Sequence, residues 1–99
     1  MKNYTIFRTK QFNKDLKEIT RYIAKNNPHA ALNFFQNLLC RIDTVLSVFP
    51  ETFRRYKNCY MWPYKNYLLF YEIDKVERVV KLFMMSHASQ YEKYKNRLS

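Results

Sequence analysis

Two kinds of side chain in this sequence could do chemistry, and they are unevenly distributed. The first is cationic. Lys10, Lys14, Lys17, Arg21 and Lys25 recur at three- and four-residue spacing. Arg54, Arg55 and Lys57 crowd a short segment that also holds Phe53 and Tyr56, and Lys65 follows. Such groups pair with phosphate oxygens or with carboxylates. The second kind can ligate metals or move protons: His29, His87, Cys40 and Cys59. No C-x-x-C or H-x-x-x-H spacing joins them, which argues against a metal site. No cofactor is expected either. The chain has 0 glycines, and glycine-rich phosphate loops need residues without a Cβ where the backbone meets the ligand. P-loop and Rossmann nucleotide sites are excluded on that ground.

The charge balance says what the cations are for. The formal net charge is +10 on 99 residues. Such an excess costs self-repulsion and marks a polyanionic or acidic partner: nucleic acid, an anionic membrane or an acidic protein segment. A membrane span needs about 18 consecutive apolar residues, and none occurs. Patterned sequence begins at once after Met1, with no apolar signal core before it. A cytoplasmic protein with reduced thiols is therefore expected. The length suits a single domain over residues 1–99. A hydrophobic fraction of 47% with 18% aromatics is too high for disorder.

The elements that must position these side chains follow from periodicity. Residues 3–8 are rich in β-formers and read as a first strand. Over residues 10–25, Phe12, Leu16, Ile19, Tyr22 and Ile23 share one helical face. At ~100° per residue the five cations Lys10 to Lys25 fall on another stripe, with Asp15 and Glu18 on its flank. Thr9 is a candidate N-cap. Asn26-Asn27-Pro28 breaks the pattern: asparagine tolerates the left-handed conformation, and Pro28 suits the first position of a second helix. That helix is expected from Pro28 to Ser47, with a broad apolar face from Ala31 to Leu46 and a mostly buried setting. The residue before Pro50 disfavours helix. Residues 53–57 read as a basic loop or strand start. Residues 56–62 read as a strand that Pro63 ends or confines to an edge. Residues 67–73 and 79–85 are nearly continuous apolar runs across a short polar turn, as in an antiparallel hairpin covered on both faces. An optional short helix spans Ala88 to Leu98. The order β-α-α-β-β-β predicts an α+β fold, a helical hairpin on a small antiparallel sheet.

In this order the segments resemble the RelE/ParE superfamily of toxins from type II toxin–antitoxin systems. The resemblance lies in Phe12-Asn13-Lys14-Asp15-Leu16-Lys17-Glu18-Ile19, Tyr22-Ile23-Ala24 and Asn27-Pro28-His29-Ala30-Ala31. It continues in Phe49-Pro50, Pro63-Tyr64, Tyr67 to Ile73, and Val79-Val80-Lys81-Leu82 with His87-Ala88-Ser89-Gln90. It spans residues 4–91 and is closer to the ParE-like branch. It implies a growth-inhibiting toxin, of the plasmid-stabilisation kind, in a hetero-oligomer with a cognate antitoxin. Such antitoxins carry an acidic, partly disordered segment, which fits a +10 partner. The candidate antitoxin-binding residues are then Lys10, Lys14, Lys17, Arg21 and Lys25.

The superfamily divides by mechanism, and fold alone does not choose. RelE-like members cut messenger RNA on the ribosome, which needs a proton acceptor, cations at the phosphate and a proton donor. His87 and Tyr91 are the catalytic candidates under that reading. Arg54, Arg55, Lys57 and Lys65 are the phosphate- or partner-binding candidates. RelE-like chains commonly place an arginine after the tyrosine that opens the central strand, where this chain has Leu68 after Tyr67. ParE-like members poison DNA gyrase and are not known as nucleases. The missing arginine and the His-Ala-Ser-Gln ending favour this non-enzymatic reading. The alternative is a RelE-like mRNA endoribonuclease, and a third reading is a degenerate toxin that keeps only antitoxin binding. A general RNA-binding module has less support, because no surface motif of stacking aromatics is recognisable.

Overall fold

A computed structural model describes residues 3–90. Strand β1 (Thr5–Arg8) leads into helices α1 (Lys10–Asn26) and α2 (Pro28–Arg41), and α2 runs into a π-helical turn (Ile42–Leu46). Strands β2 (Arg54–Tyr56), β3 (Cys59–Tyr64), β4 (Tyr67–Asp74) and β5 (Val79–His87) follow, then a 3-10 turn (Ala88–Gln90). The sheet order is β1-β5-β4-β3-β2. The α+β fold with a helical hairpin on one sheet face is as expected. The expected C-terminal helix and Tyr91 lie outside the described residues.

Local sequence sets the helix ends. The Thr9 hydroxyl accepts the Phe12 N–H at 3.1 Å and caps α1. Asn27 serves both helices: its N–H bonds the Ile23 carbonyl, and its side-chain oxygen accepts the Ala30 N–H at 3.0 Å. It does so from extended backbone, φ −158°, and not from the left-handed region expected for a helix-ending asparagine. Pro28 takes the first turn of α2, where its missing N–H costs nothing. The second helix was expected to run to Ser47, but regular α geometry stops at Arg41. Beyond it Thr44 Oγ bonds the Cys40 carbonyl at 3.0 Å, and Ser47 Oγ bonds the Asp43 carbonyl. Hydroxyls that bond back to the preceding turn loosen a helix at that point.

The sheet departs from the expected all-antiparallel arrangement. β2–β3, β3–β4 and β4–β5 are antiparallel, but β1 lies parallel to β5, with Thr5 opposite Val79 and Arg8 opposite Leu82. A helical hairpin between β1 and the other strands lets the first strand reach the last, a pairing no local pattern announces. Pro63 sits inside β3 opposite Leu68. It is tolerated because β2 pairs no further than Met61, so β3 is an edge from Trp62 onward. The tight β2–β3 and β3–β4 turns lack glycine, so Lys57 and Lys65 adopt left-handed backbone, both at φ 54°. That geometry costs a Cβ-bearing residue about 1–2 kcal/mol.

One sheet face and the helices share the main core. Phe12, Leu16, Phe34, Leu38, Ile42 and Leu46 pack on Tyr60, Trp62, Leu69, Tyr71, Val80, Leu82 and Met85. Truncating a residue such as Phe12, fully buried, costs about 3–5 kcal/mol. A smaller apolar cluster occupies the opposite face: Cys59, Met61, Phe70 and Met84, with Tyr56, Leu68 and Phe83 against it.

Candidate functional site

Helix α1 organises the surface. Its apolar line faces the sheet, and a groove opens on each flank. On one flank the groove is lined by Asp15, Glu18, Ile19, Tyr22, Asn66, Tyr67, Met85, Ser86, His87 and Ser89, and its volume is about 680 Å³. On the other it is lined by Arg8, Asn13, Leu16, Lys17, Thr20, Arg21, Ala24 and Phe35, with about 490 Å³. Among the described residues, the first holds carboxylates and no Lys or Arg, and the second holds three cations and no carboxylate. The single amphipathic helix read from the sequence thus separates two surfaces of opposite sign.

His87 lies in the acidic groove. Its Nδ1 accepts the Ser89 N–H at 3.1 Å and lies 2.7 Å from Ser89 Oγ. Its ring meets the edge of Tyr67 at 5.3 Å. Accepting from an N–H selects the neutral tautomer with the proton on Nε2. The groove's acidity begins at Asp15. One carboxylate oxygen accepts the Met85 N–H at 3.1 Å and the other the Gln11 amide at 2.7 Å. Burial raises the Asp15 carboxyl above its ordinary range, the two hydrogen bonds lower it, and the Glu18 charge raises it further. Burial also raises the Tyr67 phenol, with Tyr22 adding to the shift.

Among the described residues, the cations Arg54, Arg55 and Lys57 of the nuclease reading are not gathered around His87. Arg54 and Arg55 stand on β2, three strands from β5 in the sheet, roughly 14 Å away at the usual strand spacing. Arg55 covers the Tyr60 ring at 5.2 Å and donates to the Lys57 carbonyl at 3.3 Å. Lys57 Nζ lies 5.9 Å from the Tyr56 ring centre. Lys65 is nearer His87, in the β3–β4 turn, with Nζ 6.0 Å from the Tyr64 ring centre. Leu68 pairs with Ser86 and packs into the apolar cluster of the far sheet face. His87 belongs to the helix side, paired with Tyr67 one position away, and alternation along β4 puts the two on opposite faces. A cation at position 68 would be among Cys59, Met61, Phe70 and Met84. Among the described residues no group of His, Cys, Asp and Glu could hold a metal ion, and no helix is long and apolar enough to cross a membrane.

All five cations of the α1 stripe are exposed, but only Lys17 and Arg21 line the basic groove. The third cation there, Arg8, was missed from sequence. Its signal was parity: Arg8 is two positions from Ile6, which packs against the helix-side core, so both belong to one face of β1. Tyr22, read as part of the apolar helix face, is 66% exposed and walls the acidic groove.

Comparison with known proteins gives this arrangement its relatives. Residues 6–91 match the family model described as the ParE toxin of type II toxin–antitoxin system, parDE. No curated protein sequence matches the chain. Among solved structures the fold is similar to the chromosomal ParDE toxin–antitoxin system of P. aeruginosa, with TM-score 0.69, 11% identity, and 85% of this chain and 95% of that chain covered. It is similar to the RelBE2 toxin–antitoxin complex of Mycobacterium tuberculosis, with TM-score 0.57, 20% identity and 86% and 98% covered. It is also similar to the isolated E. coli RelE toxin, with TM-score 0.51, 15% identity and 97% and 99% covered. At these identities the structures speak for the fold, while the family model covers most of the chain: the protein belongs to the ParE toxin family of type II toxin–antitoxin systems.

Proposed function

We propose that this type II toxin acts in the cytoplasm by binding DNA gyrase, not by cutting messenger RNA, and that a cognate antitoxin holds it inactive. The observation that carries the choice is the setting of Leu68. The nuclease reading needs a phosphate-binding cation there, and the position is apolar among apolar neighbours. The groove around His87 supports the same choice. Among the described residues its charged walls are Asp15 and Glu18, which would repel a phosphodiester approaching the imidazole. The antitoxin part of the proposal is supported by family membership and by the ParDE and RelBE2 relatives, which are a toxin–antitoxin system and complex.

Purified protein added to gyrase should inhibit DNA supercoiling, and ribosome-bound messages should stay intact on induction. Substituting His87→Ala should leave growth arrest unchanged. Intact supercoiling at toxin excess, with messages cleaved in ribosomes, would reverse the assignment in favour of the endoribonuclease.

A further inference from the structure

We propose that the groove between α1, the start of β4 and the end of β5 receives an arginine side chain of the toxin's target protein. The guanidinium lies against the Tyr22 ring and pairs with Glu18 and Asp15. The proposal rests on the gyrase-binding reading and adds to it a contact site and the side chain that fills it.

Three observations carry it. The first is a pair of carboxylates without counter-ions. The chain has 18 lysines and arginines, yet neither Asp15 nor Glu18 makes an ion pair with any described residue. Asp15 fills two of its roughly four acceptor positions, on Met85 and Gln11. Burial is the strongest influence on its carboxyl and the attraction of Lys14 the weakest. A cation entering here meets charge that the fold leaves unanswered, at a depth where water screens it less. The second is an uncovered aromatic. Asp15, Glu18 and Tyr22 stand at i, i+3 and i+7, a line of about 10 Å along one side of α1. Tyr22 belongs by spacing to the apolar helix face, but it is 66% exposed and walls the groove. Guanidinium uses both features, since its flat face stacks on a ring while its edge donates to carboxylates. A lysine ammonium has no plane to stack.

The third observation is the sign of the groove against the sign of the partners. The antitoxin expected for this chain is acidic and nucleic acid is polyanionic, so Asp15 and Glu18 repel both. A basic side chain then comes from the remaining partner, the target. The groove's volume of about 680 Å³ leaves room for one long side chain. His87 also lines it, but the ring position it leaves open is the Nε2–H donor, which is no contact for a cation.

The test uses the full chain and Nα-acetyl-arginine N-methylamide as probe, at constant ionic strength. Amide resonances are followed by NMR, and circular dichroism checks the fold of each variant. The probe should bind with a Kd of about 1 mM, and shifts should gather at Asp15, Glu18, Tyr22 and Tyr67. Glu18→Gln/Tyr22→Leu alters two exposed side chains and should weaken binding about tenfold. Glu77→Gln makes the same charge change in the β4–β5 turn and should lose less than about twofold. The corresponding lysine probe should bind several-fold more weakly. With purified gyrase, the concentration for half-inhibition of supercoiling should rise about tenfold for Glu18→Gln/Tyr22→Leu and stay within about twofold for Glu77→Gln. The cognate antitoxin should still silence the double variant.

Equal losses from Glu77→Gln, or equal binding of the lysine probe, would mean diffuse attraction and overturn the proposal. So would a double variant that loses the probe but inhibits supercoiling like wild type. A groove that takes the probe only after Lys93→Gln/Lys95→Gln/Arg97→Gln would be filled by the chain itself, which also overturns it. Failure of the gyrase reading is distinguishable. A wild-type chain that binds the probe through Glu18 and Tyr22 but leaves supercoiling intact would sink gyrase as the target and keep the arginine site.

Discussion

The hydrogen bond from the Met85 N–H to Asp15 spans 70 residues and ties α1 to the C-terminal part of β5, so Asp15 is the place to perturb the frame of both grooves. Asp15→Leu removes the acceptor and leaves a part-buried N–H without its partner. That penalty is about 1–3 kcal/mol, or roughly 4–24 °C in melting temperature for a domain of this size. Asp15→Asn can keep one oxygen as acceptor for the buried Met85 N–H, giving up the charge and the exposed Gln11 bond, so it should fall well short of that loss. The two variants also differ in pH response. The folded-state pKa of Asp15 is raised above the ordinary aspartate value of 3.8, chiefly by burial. The folded chain therefore holds this proton more tightly than the unfolded one. The contribution of the group is greatest in acid and declines as pH rises from 3.8 through the raised value. Asparagine lacks that decline, so the stability of Asp15→Asn relative to wild type should improve between pH 3 and pH 7. Urea unfolding across that range measures both effects. An unchanged midpoint for Asp15→Leu would refute the claim that this bond seats the helix. Equal losses for leucine and asparagine would show that the carboxylate acts by its charge and not as an acceptor.

Two other substitutions probe the scaffold. Tyr71 is fully buried, stacks on Tyr60 at 5.4 Å and donates to the Pro50 carbonyl at 2.7 Å; Tyr71→Phe should cost about 1–3 kcal/mol in urea unfolding by orphaning that carbonyl. Lys65→Gly should raise stability by about 0.5–1 kcal/mol, because relief of the left-handed backbone exceeds the entropy that glycine adds to the unfolded chain.

The helical hairpin was legible because its information is local. Phe12, Leu16, Ile19 and Ile23 repeat at helical spacing, Thr9 and Asn27 supply side-chain caps, and Pro28 opens the second helix. β4 and β5 were legible for a related reason, since runs covered on both faces are apolar throughout. The parallel pairing of β1 was not, because nothing in residues 3–8 names Val79 to Leu82 as partners. The end of regular helix at Arg41 was hidden because Thr44 and Ser47 reveal their back-bonding only in three dimensions. The stripe on α1 was visible as charge, but not the groove. Arg8 enters from a strand and Phe35 from another helix, so the site exists only once three elements meet. The setting of Leu68 was half legible. Its identity stood in the sequence, while its neighbours Met61 and Met84 come from two flanking strands.

The parallel seam between β1 and β5 bears on the order in which the chain can fold. Thr5 has no partner until Val79 exists, and the Asp15 anchor waits for Met85. A strand and a helix from the start of the fold are thus locked by its last strand. Pairings so distant in sequence close late and slowly, so an incomplete chain cannot assemble the finished sheet. Assembly of the sheet is then gated by the arrival of β5, and a chain cut before Val79 should not fold.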